Sequence, residues 1–393
     1  MKRTTILLVL LFAVTCIFAQ KGKVTSAKSY KDAGNLEKAV TTINEAVDAT
    51  NPKAEGSINW SGTWETRGEI YQALYKSKDE NLKKLSDDPL TVAYEAYLKA
   101  LALDDKDKFT KSVKIKLTLL VSDLTNQAVA AFNEEKFEKA LKSFEEIMGI
   151  ENTPAFKVDD PNVIDTVIIF NAGLAAYNSK NYDKAIEYYK NAAKYKYNGA
   201  RTYQQISSSY MQKKDTVNAL AALKDGLAEY PGNGTILVEV INIYLNANKV
   251  DEALKYLDLA ISQDPKNASY YFAKGTLYDK LQKQDLAIEC YLKAIEFKDD
   301  YFDAYYNLGA LYYNRGVKQI DVANAVPSNK TELYEAEKKK ADLEFNKAIP
   351  YMEKANTINP TDKFTLESLK TLYYRLNMLD KHAEIVEKLK NLQ

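Results

Sequence analysis

The sequence is poor in the residue types on which most catalytic and metal-binding sites depend. Among its 393 residues there are two cysteines and one histidine, His382. A zinc site needs a cluster of cysteine and histidine ligands, which this set cannot supply. A glycine-rich phosphate loop before a helix and a serine nucleophile elbow are also missing. We therefore predict a protein that has no metal site or cofactor and is not an enzyme.

An excess of charge of either sign is missing as well. Lysine plus arginine and aspartate plus glutamate each number 54. Because no basic stripe could follow a phosphate backbone, nucleic acid is not an expected partner. Carboxylate pairs such as Asp159-Asp160 and Asp299-Asp300 lie in turn sequences. We interpret them as solvated loop charges and not as a catalytic dyad.

A long hydrophobic run occurs only at the N-terminus. Lys2 and Arg3 precede an apolar run from Ile6 to Ala19, whose 14 residues are fewer than the about 20 that span a membrane. This pattern is typical of a secretory signal peptide, residues 1–19, cut after Ala19. We expect an exported, periplasmic chain in which no transmembrane span remains.

The alternative for the N-terminus is an outer-membrane lipoprotein, lipidated at Cys16. The residues around Cys16 argue against it, because Ala13-Val-Thr15 precedes the cysteine and apolar Ile17-Phe-Ala19 follows it. Cleavage after Ala19 leaves Cys290 as the one remaining cysteine, so no internal disulfide is expected. We interpret Cys290 as a small apolar residue of a helix.

What the sequence does contain is a repeat. Ala185, Ala219, Ala253 and Ala287 follow one another at a constant interval of 34. Each alanine lies in the second of two amphipathic runs that a short polar break separates, and this spacing of apolar residues predicts helices. One helix pair cannot bury its apolar faces alone, so the pairs must stack on their neighbours.

Within a pair, the first helix carries a large residue, a small residue and a tyrosine, and the second carries an alanine, a large residue and another small one. Three units show this pattern, at Tyr203, Ser207, Tyr210, Ala219, Leu223, Gly226 and Pro231; at Leu237, Ile241, Tyr244, Ala253, Leu257, Ala260 and Pro265; and at Tyr271, Gly275, Tyr278, Ala287, Tyr291 and Ala294. The pattern resembles that of tetratricopeptide repeat (TPR) proteins of an exported bacterial type. Ile241 departs from it, since a small residue is expected there.

The resemblance implies an all-α fold, a right-handed α-solenoid of about nine TPR-like helix pairs. The nine second helices are marked by Ala39, Ala93, Ala140, Ala185, Ala219, Ala253, Ala287, Ala348 and His382. We divide the chain into N-terminal units at 20–150 with an insertion at 72–90, a loop or hinge at 151–165, regular units at 166–300, an extended unit at 301–361 and a C-terminal cap at 362–393. The charged part of the insertion, Ser77–Pro89, is expected to extend a helix into a solvated loop.

The unit at 301–361 differs from the others. Its second helix comes 27 residues late, after Val317-Lys-Gln-Ile-Asp-Val322 and Leu333-Tyr-Glu-Ala-Glu-Lys-Lys-Lys-Ala-Asp-Leu343. We predict a protruding helical hairpin over 313–347 with its loop at Pro327. Pro350 then lies inside the second long helix and should kink it, because proline has no N–H to donate.

In TPR proteins the first helices line a concave face, and the resemblance implies that this face binds the partner. The residues that it places there are Phe170, Asn171, Leu174, Tyr177, Asn178, Gln204, Gln205, Ser208, Gln212, Asn242, Asn246, Phe272, Thr276, Lys280, Tyr306, Asn307, Tyr313 and Asn314. Amides and aromatic residues dominate this set and suit an extended or helical peptide of a partner protein.

Two other interpretations of this face remain open. The amides could form a solvated inner wall without a ligand, or the tyrosines and amides could bind a glycan such as peptidoglycan. The full set of basic residues with which some TPR proteins hold a C-terminal carboxylate is absent, since the first helices of the fourth to eighth units carry only two arginines, Arg201 and Arg315. We therefore predict a protein-binding scaffold of the bacterial cell envelope, in which the hairpin around Pro327 is a second contact with the partner, and a glycan-binding module is the alternative.

Overall fold

A computed structural model describes residues 21–154, 156 and 165–392. Within these residues the chain is all-helical, as predicted, and its helices pack in consecutive pairs. The chain divides into two compact units, Met1–Ala219 and Leu220–Gln393. The predicted signal peptide, Cys16 and most of the predicted hinge at 151–165 lie outside the described residues. None of the described helices is both long enough and apolar enough to cross a membrane.

The first unit contains the helices up to α11 and the start of α12. Its helices are α1 (residues 21–32), α2 (Leu36–Ala46), α3 (Glu55–Ile58), α4 (Ser61–Lys76), α5 (Glu80–Lys83), α6 (Pro89–Ala102), α7 (Thr110–Asn133), α8 (Phe137–Glu151), α9 (Thr166–Asn178), α10 (Tyr182–Lys194), α11 (Ala200–Gln212) and α12 (Thr216–Glu229), with a 3-10 turn at Pro52–Ala54. Helix α4 packs on α6, α7 on α8, and α9 on α10.

The second unit begins within α12 and holds four further pairs. Its helices are α13 (Gly234–Asn246), α14 (Val250–Gln263), α15 (Ala268–Lys280), α16 (Gln284–Phe297), α17 (Phe302–Asn324), α18 (Thr331–Ile358), α19 (Lys363–Arg375) and α20 (Leu379–Asn391). Helix α17 packs along α18 and forms the predicted hairpin, in which residues 325–330 connect the two helices.

The break inside the regular pairs has one backbone geometry that recurs with the repeat. Lys180, Lys214, Asn248 and Gln282, again at intervals of 34, each adopt a positive φ between 56° and 63°. A residue in the left-handed conformation just after a helix can donate its N–H to a carbonyl of the last turn of that helix. Glycine usually occupies this position. Because these four residues have a Cβ, their left-handed conformation is strained.

The small residues of the first helices let large side chains of the second helices approach the backbone. A Cβ added to Gly68 would stand 2.3 Å from the Tyr97 ring, and one added to Gly275 would stand 2.8 Å from the Tyr291 ring. In the preceding unit, the exception Ile241 occupies the position equivalent to Gly275, and Leu257 occupies the position equivalent to Tyr291. Both side chains are buried. A larger residue in the first helix is thus accompanied by a smaller one in the second.

Polar side chains are buried between the helices of the first unit. The Tyr97 hydroxyl donates to Gln72 Oε1 at 3.0 Å, and Gln72 Nε2 donates to Asp123 Oδ2 at 2.5 Å. Lys76 pairs with the same carboxylate at 2.9 Å. Since these residues lie on α4, α6 and α7, the network joins three helices.

The insertion after α4 differs from the prediction. Helix α4 ends at Lys76, and the charged segment forms the separate turn α5, where the Asp79 side chain accepts a hydrogen bond from the Asn81 N–H. The extended backbone of Ser77, with ψ of 140°, stops the first helix. The end of the insertion is held in place because Asp88 pairs with Lys142 at 2.9 Å.

The C-terminal helices pack against the second helix of the hairpin. A buried cluster that includes Phe345, Met352, Leu366 and Leu369 joins the hairpin helix α18 to α19 and α20. Pro350 lies inside α18, which continues through it to Ile358. The kink at Pro350 stays a prediction. His382 contacts the Tyr374 ring, with ring centroids 5.5 Å apart.

Candidate functional site

The predicted binding residues lie on the first helices of five pairs, α9 and α11 in the first unit and α13, α15 and α17 in the second. On each helix the successive members of the set are one, three, four or six residues apart, and those three or four apart lie on one side of the helix. The structure separates them into three groups: a buried residue, residues that are half-buried or have contacts within their own unit, and exposed asparagines without such contacts. These groups differ in what they can offer to a partner.

Phe170 is not a surface residue. Its side chain is 4% exposed, and its ring packs against those of Tyr189 and Tyr197, with centroids 5.3 and 5.5 Å away. The prediction that Phe170 lines a groove is therefore wrong. The repeat pattern identifies the position of Phe170 on the helix, but it does not determine that the ring turns inward against Tyr189.

Other residues on α9 and α11 are half-buried. Tyr177 lies with its ring centroid 5.6 Å from that of Tyr182. The Asn178 amide donates to the Leu174 carbonyl at 2.8 Å. The remaining half-buried residues of these two helices are Asn171, Leu174, Gln204, Gln205 and Ser208, whereas Asn178 and Gln212 are exposed.

On α15 the predicted residues are mostly engaged within the second unit. Phe272 packs against Tyr301 and Tyr291, with ring centroids 5.0 and 5.9 Å apart. The Thr276 hydroxyl donates to the Ala273 carbonyl at 2.7 Å. Lys280 is exposed, and its Nζ donates to Asn248 Oδ1 at 2.9 Å.

On α17 the aromatic residues also have internal contacts. Tyr306 stacks on Phe302 at 6.0 Å between ring centroids, and Tyr313 packs on Phe345 at 5.7 Å. Asn307 is hydrogen-bonded to the buried Tyr291 side chain. Only the faces of these half-buried side chains that point away from the unit remain available.

Asn242, Asn246 and Asn314 form the third group. All three are exposed, and no hydrogen bond from elsewhere in the described part of the chain holds their amides. Asn246 and Asn314 share one register position with three other exposed residues, at intervals of 34. We call this set the amide ladder; it comprises Asn178 and Gln212 in the first unit and Asn246, Lys280 and Asn314 in the second.

Sequence reasoning missed Glu146 on α8, a buried carboxyl group. It is 6% exposed, and one of its oxygens accepts from Thr91 while the other, Oε2, has no partner among the described residues. Burial is the main cause that raises its pKa to about 7. Its position on the inner face of an amphipathic helix was the available signal, because a glutamate is rarely expected there.

The other reactive side chains are in structural surroundings. Cys290 is buried, and burial raises its pKa to about 11, so it behaves as the small apolar residue that we predicted. Among the described residues no group of three or more His, Cys, Asp or Glu side chains is placed to hold a metal ion. The exposed amides Asn242, Asn246 and Asn314 can donate and accept hydrogen bonds.

Comparisons with curated proteins find repeat-containing relatives. Mouse "Protein O-mannosyl-transferase TMTC3" is 30% identical over 157 residues, which are 36% of this chain and 17% of the relative. "TPR repeat-containing protein" of Methanocaldococcus jannaschii is 24% identical over 381 residues, 90% of this chain and 63% of the relative. The chain thus spans less than two thirds of the length of either relative.

Among solved structures, a TPR repeats protein from Bacteroides fragilis is 26% identical, with a TM-score of 0.34; the match covers 65% of this chain and 98% of that one. Family models match three overlapping stretches. Tetratricopeptide repeat models match residues 170–234 and 210–275, and a TPR repeat model matches residues 275–316. Residues 170–316 therefore match models of the tetratricopeptide repeat.

Proposed function

We propose that the chain is a non-enzymatic scaffold that binds a partner protein, through an extended peptide segment, along its first helices. The amide ladder carries this proposal. Its residues recur once per helix pair, they are exposed, and the amides of Asn246 and Asn314 are not committed to hydrogen bonds in the described part of the chain.

The chemistry of the ladder matches that of a peptide main chain. Each peptide unit offers one N–H donor and one C=O acceptor, and an asparagine side chain can pair with both at once. Within the second unit, a ligand with repeating backbone groups can therefore contact the exposed amides of Asn246 and Asn314. Each exposed contact is worth about 0.5–1.5 kcal/mol, so affinity depends on engaging several pairs.

Tyr306 and Asn307 are less suitable for a test, because both have contacts inside the second unit. A substitution there would change folding and binding together. The exposed residues Asn242, Asn246 and Asn314 avoid this difficulty, since their side chains hold no other element in place.

The experiment places a photo-crosslinking amino acid at Asn246 or Asn314 in cells that produce the protein. We expect each position to capture the same partner protein, which is then purified for titration against the full chain. Asn242→Ala, Asn246→Ala and Asn314→Ala combined should weaken its binding at least about tenfold, and the helical melting curve should stay unchanged.

The matched control uses the second helices. Lys255 and Glu289 are exposed at equivalent positions of α14 and α16, so Lys255→Ala with Glu289→Ala keeps the net charge and should not affect binding. Crosslinks at Lys255 and Glu289 but not at Asn246 and Asn314 would contradict the proposal.

Retention on peptidoglycan or on soluble oligosaccharides, together with no protein crosslink, would favour the glycan-binding alternative. The internal ring contacts of Phe272 and Tyr313 speak against this alternative, because stacking on a sugar needs an open aromatic face.

We also propose that the chain is exported to the bacterial cell envelope, in agreement with the sequence pattern of residues 1–19. Fractionation of producing cells and N-terminal sequencing of the purified protein test this. A mature N-terminus at Gln20 is expected, and retention of residues 1–19 in a cytoplasmic fraction would contradict export.

A further inference from the structure

The long hairpin forms a cavity with the start of α16, outside the predicted groove. The cavity has a volume of about 550 Å³, which is in the range of sites that bind small molecules and short peptide segments. Its walls come from the N-terminus of α16 and from the two hairpin helices, and the residues that line it are Gln284, Arg315, Lys318, Gln319, Val322, Lys340, Leu343, Glu344 and Lys347. We call it the hairpin cavity.

Four of the residues that line the hairpin cavity are cations and one is a carboxylate. Arg315 is fixed, because its guanidinium donates to Gln284 Oε1 at 3.0 Å and pairs with Asp285 Oδ1 at 2.5 Å. These two contacts tie α17 to the first turn of α16. Arg315 therefore acts as a rigid wall of the hairpin cavity.

The three lysines keep donors for a ligand. Lys318 has a neutral partner, Gln282 Oε1 at 3.2 Å, and no carboxylate within the described residues. Lys340 pairs with Glu337 at 2.8 Å and Lys347 with Glu344 at 2.5 Å, while both lysine side chains remain more than half exposed. An ammonium group has three donors and each lysine uses one of them here.

Apolar side chains lie beside these cations. Val322 on α17 is 51% exposed and Leu343 on α18 is 57% exposed. Apolar groups that are open to water next to unsaturated cations offer a ligand both area to bury and charge to neutralise. A plain inorganic anion would use only the cations and would leave the two apolar side chains exposed.

We propose that the hairpin cavity binds an acidic segment of a partner protein, in which carboxylates flank an apolar side chain. The carboxylates pair with Lys318, Lys340 and Lys347, and the apolar side chain lies against Val322 and Leu343. This inference shares with the proposed function the idea that the partner is a protein. It involves none of the residues of the amide ladder, so each can fail without the other.

The test measures binding of fluorescein-labelled peptides to the full chain by anisotropy. The probe peptide has alternating glutamate and leucine, and the matched peptide has glutamine in place of every glutamate. We expect the acidic peptide to bind at least about tenfold more tightly at low salt. Its affinity should fall as salt is raised, because exposed charges are screened beyond about 10 Å at 0.1 M.

Variants then locate the site. Lys318→Gln with Lys340→Gln should weaken binding of the acidic peptide about tenfold or more, and Lys255→Gln with Lys354→Gln should not, because these two exposed lysines lie outside the hairpin cavity. Glutamine is a good helix former, and circular dichroism melts verify that both pairs of substitutions leave the fold intact.

Three outcomes would overturn the proposal. Equal binding of the acidic and glutamine peptides removes the role of charge. If the two double lysine variants lose the same affinity for the acidic peptide, the attraction is general electrostatic attraction and there is no defined site. Tighter binding of a sulfated or uronic oligosaccharide than of the acidic peptide, lost with Lys318→Gln and Lys340→Gln, would assign the hairpin cavity to anionic sugars. Inorganic phosphate as a competitor should have little effect below millimolar concentration.

Discussion

Single residues show how the helix pairs tolerate side chains of different size. Where the first helix has glycine, the second places an aromatic ring on its backbone, as in Gly68 with Tyr97 and Gly275 with Tyr291. Close packing of this kind leaves no room for even one methyl group. The pairing of residue types, more than either residue alone, sets the distance between the helices.

Gly68→Ala should therefore destabilise the first unit. The added Cβ would stand 2.3 Å from Tyr97, and this ring is held by its hydrogen bond to Gln72. We expect a loss of about 1–3 kcal/mol in the free energy of unfolding, measured with urea. Gly22→Ala is the control, because open space surrounds that position; its stability should be unchanged or slightly raised. Equal effects of both substitutions would contradict this account of the packing.

Glu146 makes the stability of the first unit depend on pH. Burial raises its pKa from 4.5 to about 7 in the folded chain. Between these two values the unfolded chain loses the proton first, so the folded state holds more protons. The contribution of Glu146 to the free energy of unfolding is thus fully present below about pH 4.5 and is lost as the pH rises through 7.

Glu146→Gln should remove this dependence, since glutamine imitates the neutral carboxyl group. We expect the difference in unfolding free energy between pH 5 and pH 8 to shrink by about 1–3 kcal/mol in urea titrations. Glu138→Gln on the exposed face of the same helix should leave that difference unchanged. If Glu146→Gln keeps the full dependence of the wild type, another group is responsible.

The helices and their breaks are the part of the fold that the sequence predicts best. The constant interval between the alanines and the apolar spacing identify the helix pairs, and the delayed Ala348 identifies the hairpin. The network of Gln72, Tyr97 and Asp123 could not be predicted, because it joins residues 25 and 51 positions apart. The burial of Phe170 was missed for a related reason, since a position on a helix does not determine where a ring turns.

The breaks between helices allow a prediction at the element scale. Lys214 has a φ of 61°, a conformation that a side chain disfavours and glycine does not. Lys214→Gly should raise the unfolding free energy by about 0.5–1 kcal/mol, whereas Lys214→Ala should change it little because a Cβ remains. Thermal melts of both variants compare them directly. A gain from alanine equal to that from glycine would show that backbone strain is not the cause.

At the scale of the whole molecule, a row of helix pairs should unfold in parts. Both tryptophans, Trp60 and Trp64, lie in the first unit, so tryptophan fluorescence reports on that unit alone. Circular dichroism reports on every helix.

Removal of residues 362–393 tests this expectation. The deletion takes away α19 and α20 and uncovers the apolar cluster that includes Phe345 and Met352. In a row where each pair contacts its neighbours, the loss stays local. The circular dichroism transition in urea should broaden or move to lower urea, and the fluorescence transition should remain in place. A matching shift of both signals would mean that the two units unfold as one.

The recurring left-handed residues at the breaks, from Lys180 to Gln282, have a consequence for how such a chain can change in evolution. Because every regular unit leaves its first helix through the same backbone turn, a duplicated or deleted segment of one full repeat joins its new neighbours in the geometry they already have. Gene duplication can therefore alter the number of helix pairs in whole steps, without redesign of any single junction.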